Sequence, residues 1–175
     1  MPLTDVTGTC QDSEGSWPVT FSVEVTQSSI QYAPAKVIGE VHPNGTRNAL
    51  EYQRPVPMIV GGSAAFAAAG QPASARQPAT LTWSTTTTRT ITERLQPGES
   101  SWIEGQEPRL TGTGTFTITD QDGNKVVIQG VFECTDPDKS YRLYQRTAPL
   151  TATEMEQIRQ QRPGASTPAG PGVTG

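Results

Sequence analysis

Residues 110–134 read LTGTGTFTITDQDGNKVVIQGVFEC, and their alternation decides the fold class. Leu110, Gly112, Gly114, Phe116 and Ile118 share one parity, while the odd positions from Thr111 to Thr119 are all threonine. After DQDGN the pattern resumes, with Val126, Ile128, Gly130, Phe132 and Cys134 on one face. A period of two on both sides of an Asp-Gly pair predicts a β-hairpin, because side chains alternate across a strand and Gly accepts the left-handed turn conformation. DQDGN also opens like a calcium loop, with Asp120, Asp122 and Asn124 at alternate positions. Its twelfth position is Val131, which has no side-chain oxygen to offer, so a plain turn without metal is expected, with a weak surface calcium site as the lesser reading. The threonines then form the outer face of an antiparallel sheet, solvated or covered by a neighbour, since threonine favours strands and stays soluble. Gly112 and Gly114 on the core face predict that a bulky element, such as a tryptophan, crosses close by.

The same period extends in both directions. Val19, Phe21, Val23 and Val25 alternate with polar residues, and a first strand is expected from Asp5 to Cys10. QDSEGSWP between them reads as a connection that carries Trp17. Lys36 to Val41 and Ala49 to Gln53 are further candidates, after which Pro55 and Pro57 push the chain to an edge or loop. ATLTWSTTTTRTITERL reads as one long strand or two joined by a bend, with Leu81, Trp83 and Ile91 on one parity. SSWIEGQEP reads as a loop that carries Trp102, and Tyr141, Leu143 and Gln145 extend the sheet.

The expected organisation is an antiparallel β domain over 1–148, a short amphipathic helix over 149–162 and a low-complexity tail over 163–175. The domain is a sandwich or flattened barrel of about seven to nine strands. Residues 61–78, GGSAAFAAAGQPASARQP, break the alternation and read as an excursion from the sheet. Ser63 is placed to cap a short helical stretch over 64–69, and the whole segment is a linker or an arm that docks on a neighbour. In the terminal helix, Thr151 and Glu154 form a capping box, and Leu150, Met155 and Ile158 make a narrow apolar stripe.

Composition narrows the function. Of 175 residues only 33% are apolar, with 17 Gly and 15 Pro, which suits β structure with long loops. The net charge of −4 and the absence of a basic run argue against nucleic acid. No apolar run is long enough to span a bilayer, and MPLTDVTGTC lacks a basic stretch followed by an apolar one. We therefore expect no signal peptide, no membrane partner and cytoplasmic synthesis. NGT at 44–46 fits a glycosylation sequon but is expected to be a turn.

Catalytic signals are thin. His42 is the single histidine, and no phosphate-binding or nucleophile-elbow motif occurs. A carboxylate pair drawn from Glu93, Glu99, Glu104 and Glu107 is weighed against plain solvated acids. Cys10 and Cys134 end strands and cannot bind zinc alone. They form either a disulfide, worth about 4–5 kcal/mol by loop entropy, or two buried thiols, and the second reading is favoured. Trp17, Phe66, Trp102, Leu150, Met155 and Ile158 are the candidate interface residues. The expectation is a non-enzymatic assembly protein without cofactor, binding copies of itself or a larger assembly. A virion component such as a bacteriophage capsid-decoration or tail protein is the setting envisaged. The alternative is a small-ligand- or carbohydrate-binding β module that uses the tryptophans.

Overall fold

A computed structural model describes residues 3–161. Among them lie nine strands and one helix: β1 (Val6–Asp12), β2 (Gly15–Tyr32), β3 (Lys36–Pro43), β4 (Leu50–Ala65), β5 (Thr80–Leu95), β6 (Glu99–Gln106), β7 (Pro108–Asp120), β8 (Lys125–Thr135), β9 (Arg142–Pro149) and α1 (Ala152–Gln161). β1, β2, β7, β8, β4 and β5 close a barrel in that order, and β3, β6 and β9 form a second sheet. The protein is thus mainly β, a barrel rather than a sandwich. By contacts the chain divides into two compact units. Of the described residues, the first takes those up to Ala35, Met58–Thr87 and Gln106–Arg142; the second takes Lys36–Pro57, Thr88–Gly105 and those from Leu143 onward.

The hairpin expected from 110–134 is the centre of the first unit. β7 and β8 pair from Arg109↔Thr135 to Thr119↔Lys125, and β2 pairs the other edge of β7 from Val19↔Asp120 to Tyr32↔Pro108. The turn between β7 and β8 closes on Asp120, whose Oδ1 accepts the amides of Asp122 and Asn124 at 2.9 Å, and Gly123 sits at φ 86°. The inward residues form one aromatic-rich core: Phe21 meets Trp83 at a tilt, with ring centres 4.8 Å apart, and Phe116 meets Phe66 edge-on at 5.3 Å. Each fully buried large side chain of this kind contributes about 1.5–3 kcal/mol.

Gly112 and Gly114 are explained by backbone rather than by a tryptophan. β2 carries a bulge between Val25 and Gln27. A Cβ on Gly112 would lie 2.0 Å from the Gln27 carbonyl oxygen, and one on Gly114 would lie 2.8 Å from that of Glu24. The extra residue, Thr26, turns its hydroxyl onto the Thr113 carbonyl at 3.1 Å. The threonine ladder faces outward, half-buried from Thr113 to Thr119 and exposed at Thr111, whose Oγ1 meets Ser29 Oγ of β2 at 3.1 Å.

Three local expectations are corrected. Residues 61–65 are the end of β4, paired to β8 from Gly62↔Cys134 to Ala65↔Val131, and no helix forms over 64–69. Local alanine propensity loses there to ladder pairing and to the burial of Ala64. β4 also continues through Pro55 and Pro57, which lie on its exposed parity, while Arg54, Val56 and Met58 are buried. Trp17 and Trp102 lie in β2 and β6 rather than in loops. The helix expected over 149–162 is observed as Ala152–Gln161. Its capping box is formed: Thr151 Oγ1 accepts the Glu154 amide at 3.1 Å, and Glu154 Oε1 accepts the Thr151 amide at 2.8 Å. Residues 162–175, and with them the expected tail over 163–175, lie outside the described residues.

Candidate functional site

The second unit holds a buried charge cluster that composition does not announce. Glu93 in β5 is completely buried, on the parity of Ile91 and Leu95. A bare carboxylate there would be very costly, so its two oxygens are fully engaged. Arg54 of β4 forks onto it, Nε to Oε1 at 2.9 Å and Nη2 to Oε2 at 3.2 Å. His42 of β3 places Nδ1 2.9 Å from Oε1, and Ser101 Oγ of β6 donates to Oε2. Gln145 of β9 donates from Nε2 to Ser101 Oγ at 3.0 Å and to the Arg94 carbonyl at 2.7 Å. Burial alone would raise the Glu93 pKa, but hydrogen bonds from Ser101, Arg54 and His42 outweigh it and hold the carboxyl below its ordinary range.

The arrangement is not a nucleophilic relay. A serine nucleophile needs a base on its own proton. Here the Ser101 proton points at the carboxylate, and the imidazole of His42 sits on the opposite oxygen. Three strands, β3, β4 and β6, instead converge on one anion carried by β5, with β9 joining through Ser101, which is how an antiparallel array can fix its register around a single residue. Asn44, the sequon residue, is equally closed: it is fully buried, donates to Leu95 O at 3.2 Å and accepts from Thr46.

The outer face of the sheet β3–β6–β9 is different. Ile38, Gly105 and Leu143 crowd one side of that sheet. Val37 and Val41 of β3 project from the other and are 55% and 51% exposed. Tyr144 of β9, 38% exposed, shares this side with half-buried Trp102 of β6. Between the two aromatics runs a polar seam: Trp102 Nε1 donates to Glu104 Oε2 at 3.0 Å, and Arg146 Nε to Glu104 Oε1 at 3.2 Å. Those donors, Trp102 first, hold the Glu104 carboxyl below its ordinary range. Val37 faces Glu104 across the β3–β6 ladder.

In the first unit, the ring of Trp17 carries the Arg76 guanidinium at 3.8 Å, and Phe66 packs against the barrel core. Leu150 and Met155 are half-buried in the second unit, and the side chain of Ile158 lies outside the described residues. Cys10 and Cys134 are both free and fully buried, and burial pushes their thiols up to about 12 and about 11. Glu99 accepts the Gln96 amide at 2.9 Å in the turn before β6, and Glu107 pairs with Arg109 at 3.0 Å, so the four acids weighed from sequence do not form one site. Among the described residues no group of three acidic, histidine or cysteine side chains is placed to hold a metal ion.

No protein-family model matches the chain, and no curated protein does. Among solved structures it is similar to a lamprey immune protein, at 12% identity and a TM-score of 0.35, covering 83% of this chain and 54% of that one. It is also similar to a non-toxic crystal protein from Bacillus thuringiensis, at 10% identity and a TM-score of 0.33, covering 85% and 90%. The chain spans about half the length of the lamprey protein. Likeness at this level carries no argument about function.

Proposed function

We propose that the protein is a non-enzymatic assembly component that docks through the outer face of β3–β6–β9. One observation carries this reading: Val37, Val41 and Tyr144 stand exposed on one sheet face beside Trp102. Apolar and aromatic side chains gathered around a polar seam are the composition of an interface centre. β3 is also an edge of its sheet. The partner is a further copy or a larger assembly, and a virion, with this chain as a decoration or tail protein, is the particle we put forward. The catalytic inventory supports the non-enzymatic part, since Ser101 and His42 are both committed to Glu93.

The test is mass against concentration by sedimentation or light scattering, for the wild type and for Val41→Lys with Tyr144→Lys. Association that the paired substitution abolishes, with the circular dichroism unchanged, supports the reading. A monomer at every concentration removes self-assembly. It would move weight to the rival reading, a glycan-binding module, which draws on the same aromatics flanking Glu104 and Arg146. Glycan binding lost in Trp102→Ala would decide for that rival.

A further inference from the structure

The segment between β4 and β5, residues 66–79, folds back over the barrel of the first unit, and its attachments are few and specific. β4 leaves β8 after Ala65↔Val131, so the earlier part of β8 loses that partner. The segment supplies a single substitute: Gln71 and Val127 exchange both backbone hydrogen bonds, at 2.9 and 2.8 Å. Its two ends are tied by Phe66 N to Ala79 O at 3.0 Å and Ala79 N to Gln11 O at 2.9 Å. Phe66 leans on Phe116, and Gly70 lies so close to Val126 and Ile128 that a Cβ would sit 2.6 and 2.8 Å from their side chains. Residues 67–69 and 71–74 are exposed throughout.

One side chain does what the apolar contacts do not. Arg76 donates from Nε and Nη2 to the two oxygens of Asp12, at 2.9 and 3.2 Å, and lies over the Trp17 ring. Asp12 is itself fixed by the amides of Glu14 and Gly15 in the β1–β2 turn, at 2.8 and 3.1 Å. The fork thus fastens the segment to a rigid hairpin of the barrel wall. The pair is partly exposed, with side chains 44% and 20% accessible, so salt screens it.

We propose that residues 66–79 form a detachable plug, which undocks from the barrel while the strands stay paired, and that Arg76 is its latch. The physical basis is the contrast in anchoring. The barrel strands carry continuous ladders and the aromatic core, whereas the plug carries one bridge, two backbone bonds at its ends, the half-buried Phe66 and Ala75, the buried Gly70 and Pro78, and one ion pair, which places it at the low end of local stability. Undocking uncovers Phe116 and frees the edge of β8 at Val127, a row of backbone groups able to pair with an extended segment.

Native-state hydrogen exchange tests this without assuming any partner. The Val127 amide, bonded to Gln71, reports on the plug; the amides of Phe116 and Ile128, opposed across β7 and β8, report on the barrel. Val127 should exchange well ahead of the other two. Arg76→Ala should speed it by about tenfold, the loss of one forked ion pair and one cation–π contact, with the barrel amides unmoved. Salt at about 1 M should act on the wild type in the same direction and leave the variant unaffected. Elastase cutting within Ala67–Ala69 should accelerate in parallel, since open chain is what the protease takes. Exchange of all three amides together, in both proteins, would overturn the detachable plug. Separate exchange that Arg76→Ala fails to accelerate would overturn the latch.

Discussion

Arg54 closes a two-point fork on Glu93 inside the second unit, Nε to Oε1 at 2.9 Å and Nη2 to Oε2 at 3.2 Å, and the carboxylate has no accessible surface. Breaking such a pair from one side is costly, because the charge that remains has been stripped of water. Glu93→Gln leaves Arg54 buried and turns an amide N–H₂ toward donors of Arg54 or Ser101. We expect a loss of about 3–5 kcal/mol, read as a lower urea midpoint at unchanged slope. Replacing both partners together, Glu93→Leu with Arg54→Met, should cost less than Glu93→Gln alone. A double variant no more stable than the single one would mean that His42 and Ser101, not Arg54, set the demand for the anion.

The acid limb of stability should carry the mark of the same residue. Glu93 has a lower pKa folded than unfolded, so the unfolded state takes up its proton first as pH falls. Its contribution is therefore complete above the unfolded value and is lost as the pH drops from about 4 toward the folded value. Melting curves from pH 7 downward should be flatter in Glu93→Gln than in the wild type within that window. Equal acid slopes would show that Glu93 gives no linkage. Asp12, Asp120, Glu104 and Glu154 also lie low, but as solvent-facing groups they add a background common to both proteins.

How much of this was legible can be judged residue by residue. The β7–β8 hairpin, its Asp-Gly turn and the Thr151–Glu154 cap follow from local rules, and local rules suffice where spacing alone sets the contact. The strands through Trp17, Trp102 and residues 61–65 do not follow, because what recruits those residues is a ladder partner distant in sequence or hidden from the local pattern: Gly62 needs Cys134, and Trp17 needs Cys10. Glu93 did leave a trace. It stands on the inward parity of Leu81, Trp83, Ile91 and Leu95, as Arg54 does on that of Val56 and Met58. A charge on an apolar parity signals a buried pair, yet nothing in the alternation says that the two will meet each other, or that His42, Ser101 and Gln145 will join them.

Gly112 gives a prediction about backbone geometry. A methyl group there would meet the Gln27 carbonyl oxygen at 2.0 Å, and that oxygen belongs to the β2 bulge rather than to a side chain able to swing away. Gly112→Ala should therefore cost roughly 2–3 kcal/mol although alanine suits strands no worse than glycine. Gly98→Ala makes the comparison: no atom lies within 4 Å of where its methyl would sit, but its φ of 80° strains an L-residue, for about 1–2 kcal/mol. Thermal melts of the pair separate crowding from strain. If Gly112→Ala melts with the wild type, β2 and β7 can part locally at the bulge.

Cys10 and Cys134 should be silent until the barrel opens. Both side chains are fully buried, and burial pushes their thiols up to about 12 and about 11, so almost no thiolate exists at neutral pH. They also sit on different ladders, Cys10 opposite Trp17 and Leu81, Cys134 opposite Leu110 and Gly62. Iodoacetamide at a mildly alkaline pH should label neither in the native protein and both in urea, with a labelling rate that tracks global unfolding. Reductant should leave the melting temperature where it is, since no covalent link is there to lose. A melting temperature that falls with reductant would mean that the oxidised chain pairs the two cysteines, and that β1 and β8 approach more closely than those ladders allow. Labelling of Cys134 alone, ahead of unfolding, would instead place a local opening at the β4–β8 seam, where Gly62 offers no side chain to hold it shut.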